Sequence, residues 1–214
     1  MKFSGFTEED FDVFAVDGLD ERMEALKMTI RPKLEELGEH FKDVLSEKTG
    51  RDMYYHVAKH ARRKVNPPDD TWVAFCSSNR GYKKLPHFQI GLFGSHVFVW
   101  FAVIYESPVK GELGRTLLED AESVKSMIPE HYEWSEDHTK PDTVSGDELS
   151  NEDYTRLFQR LQDVKKAELL CGKTFCYSED LLRDGDAFVQ EIEKVFDTVL
   201  PLYEKSMDVY EQKV

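Results

Sequence analysis

The spacing of apolar residues switches between the helical and the strand period along this chain, and the switches divide it into elements. Thr7 followed by Asp10 has the spacing of a helix cap, and the acids around it predict a short helix over 8–15. A separate helix is read over 20–29 with Asp20 as its N-cap. Ile30, Leu34, Leu37, Phe41, Val44 and Leu45 then recur at helical spacing behind Pro32, a residue suited to a first turn, so a helix is predicted from 32 to about 48.

Between Gly50 and Glu106 the pattern becomes β-branched and aromatic runs cut by turn residues, the signature of consecutive strands. Phe93-Gly94-Ser95-His96 predicts a two-residue type II′ turn joining antiparallel strands over 86–93 and 96–106. The second strand is apolar on both faces, Val97, Val99, Phe101 and Val103 alternating with Phe98, Trp100, Ala102 and Ile104, and is expected to be central and covered twice. In the first strand Phe88, Ile90 and Leu92 share one face. His87 and Gln89 share the other, which is expected to line a cleft.

A helix over 114–128, a short strand over 132–134 and a polar, acidic, mobile loop over 135–150 are predicted next. Long helices follow over 151–170 and 186–210, the second with a kink expected at Pro201. These elements imply an α+β fold, a mostly antiparallel sheet packed against several helices, in one domain spanning 1–214. There is no internal repeat.

Composition narrows the function classes. Of the 214 residues 40% are hydrophobic and 12% aromatic, enough apolar surface to fold unaided. The formal charge of −14 disfavours nucleic acid unless positive charge is gathered locally. Glu8, Glu9, Asp10 and Asp12 lie where a signal peptide needs an apolar run, and no apolar run approaches the roughly 20 residues of a membrane span. The expected location is therefore cytoplasmic, with no membrane partner. Cys76, Cys171 and Cys176 suit a reducing compartment and are read as buried thiols.

Positive charge is gathered in one place. From Arg51 to His87 there are eight Lys or Arg (Arg51, Lys59, Arg62, Arg63, Lys64, Arg80, Lys83, Lys84) against three acids, leaving the remainder at about −19. Two readings of this asymmetry stand side by side: a site for a phosphate or carboxylate, or strand edges kept soluble by cations. If 56–65 is a strand, His56, His60 and Arg62 share a face. With Arg63, Arg80, Tyr82, Lys83 and His87 they would form a pocket of fork-shaped donors and titratable imidazoles, in which His60 and His87 are the candidate proton carriers.

No metal is expected. His56-x-x-x-His60 lacks the glutamate of a zincin motif, and Arg62 and Arg63 would repel a cation. Gly172-Lys173-Thr174 is rejected as a phosphate loop, because Ala167 stands where an earlier glycine is required. Asp69-Asp70 after Pro67-Pro68 is read as a turn. Of Trp72, Trp100 and Trp134, only Trp134 is expected to be exposed.

The stretches His56-Val57-Ala58-Lys59-His60-Ala61-Arg62-Arg63, Pro67-Pro68-Asp69-Asp70-Thr71-Trp72 and Arg80-Gly81-Tyr82-Lys83-Lys84, with Pro86-His87-Phe88-Gln89-Ile90-Gly91, resemble the YktB family of Gram-positive bacteria over essentially the whole chain. That resemblance implies a sheet-centred α+β domain of unassigned activity. It is distantly similar to class II synthetases and biotin or lipoate ligases, whose arginines on antiparallel strands invite comparison with Arg62, Arg63 and Arg80. The reading that results is a protein holding a small anionic ligand on a basic, histidine-bearing sheet face. The alternative is a module docking an acidic protein or a nucleic-acid backbone. The sequence identifies neither a cofactor nor an oligomeric state, and it leaves open whether a reaction occurs.

Overall fold

The computed structural model describes residues 2–213. The chain opens with α1 (Glu8–Asp12), where Asp10 accepts a hydrogen bond from the Thr7 amide at 2.7 Å, and a 3₁₀ turn over Val13–Ala15 extends it. α2 (Leu19–Ala25) is capped at Gly18, two positions earlier than the expected cap at Asp20. It does not end before Pro32. A wider π turn over Leu26–Ile30 carries it straight into α3 (Arg31–Thr49), so the two helices expected here are one continuous run. Pro32 has no amide hydrogen and its ring crowds the carbonyl four residues back. The wider turn, in which the Arg31 amide reaches the Leu26 carbonyl, accommodates both without ending the helix.

The strands β1 (Tyr54–Val57), β2 (Asp70–Cys76), β3 (His87–Phe93) and β4 (His96–Val103) follow, then α4 (Lys110–Glu119) and α5 (Ala121–Met127). After them come β5 (Glu133–Ser135), β6 (Val144–Ser145), α6 (Asn151–Asp163), β7 (Leu169–Cys176) and α7 (Gly185–Lys213). The strands form one seven-stranded antiparallel sheet in the order β1-β2-β3-β4-β7-β5-β6. The α+β class read from the sequence is the class observed, and among the described residues no helix is long and apolar enough to cross a membrane.

β3 and β4 pair as expected, with Leu92 opposite Val97, and β4 lies buried between β3 and β7. The turn between them is not type II′, because Gly94 is not among the positive-φ residues. Its missing side chain instead makes room for Phe14, whose Cβ would stand 3.2 Å from a Cβ at Gly94. The single helix expected over 114–128 is two, stepped at Asp120, whose carboxylate accepts from Lys205 of α7 at 3.0 Å. Pro201 lies inside α7, which continues past it.

The largest correction concerns 164–176, read as a helix tail and a rejected phosphate loop. α6 ends at Asp163, and β7 occupies the sheet between β4 and β5. A short apolar run buried on both faces has no period to tell strand from helix. Gly172 is explained here: a Cβ on it would meet the Val99 carbonyl at 1.9 Å, so glycine lets the two strands close. Two burial expectations also change. Trp134 is buried against Tyr154 and Phe158, and Cys176, at the outer end of β7, is exposed while Cys76 and Cys171 are buried.

The two faces of the sheet differ. On one, Val73, Phe75, Phe88, Ile90, Val99, Phe101 and Cys171 join Leu37 and Phe41 of α3 and Phe188, Phe196 and Tyr203 of α7 in a single large core. On the other, Phe93, Phe98, Trp100, Ala102 and Leu170, with Trp72 beside them, make a small cluster containing no helix residue. Loops cover that second face, and the conspicuous polar residues gather there.

Candidate functional site

The loop joining β1 to β2, residues 58–69, is held at both ends by arginines of the helical run. At its start Arg31 donates to the Ala58 carbonyl (3.3 Å). At its end the buried Arg22 donates to the Pro68 carbonyl (3.1 Å) and to Asp69 (3.3 Å), while its Nε donates to Val16 (2.9 Å). β1 stops at Val57, so the strand expected over 56–65 does not form. His60 instead adopts a positive φ of 50°, the left-handed region that only a minority of non-glycine residues enter, and its carbonyl accepts from the Arg63 amide (3.0 Å) in a turn. That turn sets the imidazole edge-on to Trp72, ring centres 5.6 Å apart, with Nε2 3.2 Å from the Thr71 hydroxyl.

Between this loop and the 77–86 connection lies an open cavity of about 420 Å³ lined by His60, Arg62, Arg63, Asp70, Trp72, Tyr82 and Lys83, with Thr139 at its margin. Five of the residues singled out from sequence, His60, Arg62, Arg63, Tyr82 and Lys83, therefore converge. The other three stand apart. His56 is tied by Nε2 to the Ser78 carbonyl (2.8 Å), Arg80 is exposed on the adjoining turn, and His87 is sealed behind Tyr82, ring centres 4.9 Å apart.

His87 is fully buried: Nδ1 donates to the Leu85 carbonyl (2.8 Å), and Nε2 is left to accept from the Gln89 amide (2.9 Å). Burial pushes it down to about 3, so it is a neutral hydrogen-bonded partner of Gln89, and the polar face of β3 is closed. Burial, with Arg63 and Arg31 nearby, pushes His60 down to about 4, which leaves it neutral near pH 7. The Tyr82 hydroxyl accepts from Trp72 Nε1 (3.1 Å) and is pushed by burial up to about 12.

Three polar residues of this face escaped the sequence reading. Asp70, taken for a turn residue, begins β2 and opens on the cavity while 5% exposed; burial raises it to about 6. Glu168, 3% exposed, accepts from the His138 amide (2.9 Å), from His138 Nδ1 (2.7 Å) and from the Tyr105 amide (3.3 Å). This partnership outweighs burial and raises His138, which lies edge-on to Trp72 at 6.2 Å. The available signal was an acid, Glu168, embedded in an apolar run. Ligand atoms of Asp137, His138 and Glu168 fall within 4.8 Å of one another, and each residue already has a hydrogen-bond partner: Glu168 holds His138, and Asp137 accepts from the Thr139 amide and hydroxyl (3.0 and 2.7 Å).

A second depression, of about 340 Å³, lies between the β5–β6 segment and α6. Its cations each face an acid, Lys140 with Asp137 (3.7 Å), Arg156 with Asp153 (3.4 Å) and Arg160 with Glu136 (3.5 Å). The cavity at β1–β2 differs: its Lys83 faces Glu106 (3.2 Å), but Lys59, Arg62 and Arg63 have no acid as an ion-pair partner among the described residues.

A family profile described as "Domain of unknown function (DUF1054)" matches residues 6–203. The chain belongs to the DUF1054 family. UPF0637 proteins of Bacillus licheniformis (54% identical, over 95% of this chain and 97% of the relative), Bacillus velezensis (55%, over 92% and 94%) and Bacillus cereus (51%, over 95% and 98%) are similar along nearly their whole length. The expected kinship with a family of Gram-positive bacterial proteins is thereby met. All seven strands and both loops of the cavity lie within the DUF1054 match.

Proposed function

We propose that the protein binds a small anionic ligand, bearing a phosphate or a carboxylate, in the cavity between the β1–β2 loop and the 77–86 connection. The supporting observation is its charge: Lys59, Arg62 and Arg63 border it against the single lining carboxylate of Asp70, while Lys83 is paired with Glu106 at 3.2 Å. Among the described residues Arg62 has no acceptor, and the guanidinium of Arg63 has only the Pro67 carbonyl, at 3.3 Å. Guanidinium forks with most of their donors free, beside a concave surface lined by aromatic residues, suit a planar or tetrahedral oxyanion. His60, neutral near pH 7, contributes a hydrogen-bonding wall and not a charge.

The test is thermal denaturation against inorganic phosphate, sugar phosphates, nucleotides and small carboxylates, with an Arg62→Ala/Arg63→Ala variant alongside. A ligand that binds only the native state raises the melting temperature. A saturable rise with one class, lost in the variant, is expected. No rise with any class would remove the reading.

A second reading has its own observation: the 59–66 loop is exposed around Lys59, Arg62, Arg63 and Lys64, and Val65 at its tip is 80% exposed. Such a surface suits docking on an acidic partner, and its dependence on salt separates it from the first.

A further inference from the structure

Asp70 has no use in a cavity that only holds an anion. The residue is only 5% exposed, its carboxylate accepts no hydrogen bond from any other described residue, and it lines the same space as Arg62 and Arg63. An ionised carboxylate held out of water without a donor is unfavourable, and buried charges in folded proteins are paired as a rule. His138 and Arg63 lie near enough for their charges to act on Asp70, yet neither hydrogen-bonds or ion-pairs with it: His138 is held by Glu168, and Arg63 reaches only the Pro67 carbonyl.

The surroundings describe what would complete it. The rings of Trp72 and Tyr82 line the cavity with the Asp70 carboxylate, and His60 stands edge-on to Trp72. A carboxylate beside aromatic faces is the environment that holds an ammonium group, which the carboxylate neutralises and the rings attract through their negative faces. A hydroxyl would satisfy the hydrogen bond but leave the buried charge uncompensated. We infer that the ligand of this cavity is a small zwitterion, its oxyanion on Arg62 and Arg63 and its protonated amine on Asp70 against Trp72. This rests on the anion-binding reading and names its substrate class, aminoalkyl phosphates or amino-acid-like carboxylates.

Matched probes that differ in the amine test it. Calorimetric titrations would use phosphoethanolamine against ethyl phosphate and γ-aminobutyrate against butyrate, on the native chain, on Asp70→Asn and on Arg62→Ala/Arg63→Ala, with thermal unfolding to confirm that each variant folds. In at least one pair the amine should tighten binding about tenfold or more, Asp70→Asn should erase that advantage while the amine-free probe still binds, and the double variant should weaken both members. Equal affinity within both pairs, lost only in the arginine variant, would overturn the zwitterion and leave the anion site standing. An amine advantage that survives Asp70→Asn would also overturn it. No saturable binding by any of the four probes at millimolar concentration would overturn the zwitterion, and joined to no thermal shift with any anion class it would overturn both readings.

Discussion

At the scale of single residues, the cavity is built from groups that stability alone does not favour. Burial raises Asp70 from 3.8 to about 6, so between those values the folded chain holds a proton that the unfolded chain has released. Stability tied to this group is therefore fully present below its unfolded value and is lost as pH rises through about 6. The whole shift corresponds to about 3 kcal/mol against the folded state near neutral pH, part of which an amide would still incur through its own desolvation. Asp70→Asn is accordingly expected to raise stability by about 1–2 kcal/mol near pH 7.5, with most of the gain gone by about pH 4. Urea unfolding of the two chains at both pH values measures it, and an Asn variant less stable at neutral pH would show that the carboxylate has a partner.

At the scale of elements, the cavity depends on two arginines that fasten a long loop to the helical run from α2 to α3. Arg22 is the stronger fastening, with three acceptors from Val16, Pro68 and Asp69 and little exposure of its own. Removing it leaves two carbonyls without their donor, which predicts a loss of about 2 kcal/mol. Because the loop 58–69 has no ladder beyond Ala58, it should also open more often. Trypsin should then cut Arg22→Ala after Arg62, Arg63 or Lys64 faster than it cuts the native chain, read by mass spectrometry of early fragments. Unchanged cutting would mean that Arg31 alone holds the loop.

The same scale explains what the sequence made legible. α3, α7 and the β3–β4 pair carry a clear period along one face, and residue types alone placed them. β7 carries none, since both its faces are buried, and it follows closely on a helix whose apolar spacing runs on into it. The site divides in the same way. Lys59, Arg62, Arg63, Tyr82 and Lys83 were visible because cations crowd two short stretches of an acidic chain, and the β1–β2 and β2–β3 connections bring those stretches together. The partnership of His138 with Glu168 spans thirty positions and joins a loop to the start of β7, so it depends on a strand the periodicity could not show. Asp70 looked like a turn residue because two prolines precede it. Its chemistry appears only when the loop folds over Trp72.

At the scale of the whole molecule, charge decides between a small ligand and a large one. The chain carries a formal −14, while 51–87 holds a surplus of five positive charges. A screening length of about 8 Å at physiological salt confines that surplus to its immediate neighbourhood. A small anion sees only the cavity. A polyanion long enough to use Lys59, Arg62, Arg63 and Lys64 together must also approach the acidic remainder, whose repulsion opposes it at low salt. Four phosphate contacts would give a slope of about −3 in log affinity against log salt for a single-stranded nucleic acid, whereas one bound oxyanion should give a slope of about −1 or shallower. Titrating inorganic phosphate and a single-stranded oligonucleotide at low and physiological salt measures both. The expected result is a shallow slope for phosphate, lost in Arg62→Ala/Arg63→Ala, and oligonucleotide binding too weak to saturate. Tight oligonucleotide binding with a steep slope would assign the 59–66 loop to docking, because only a contact spread over several cations responds to salt in that way.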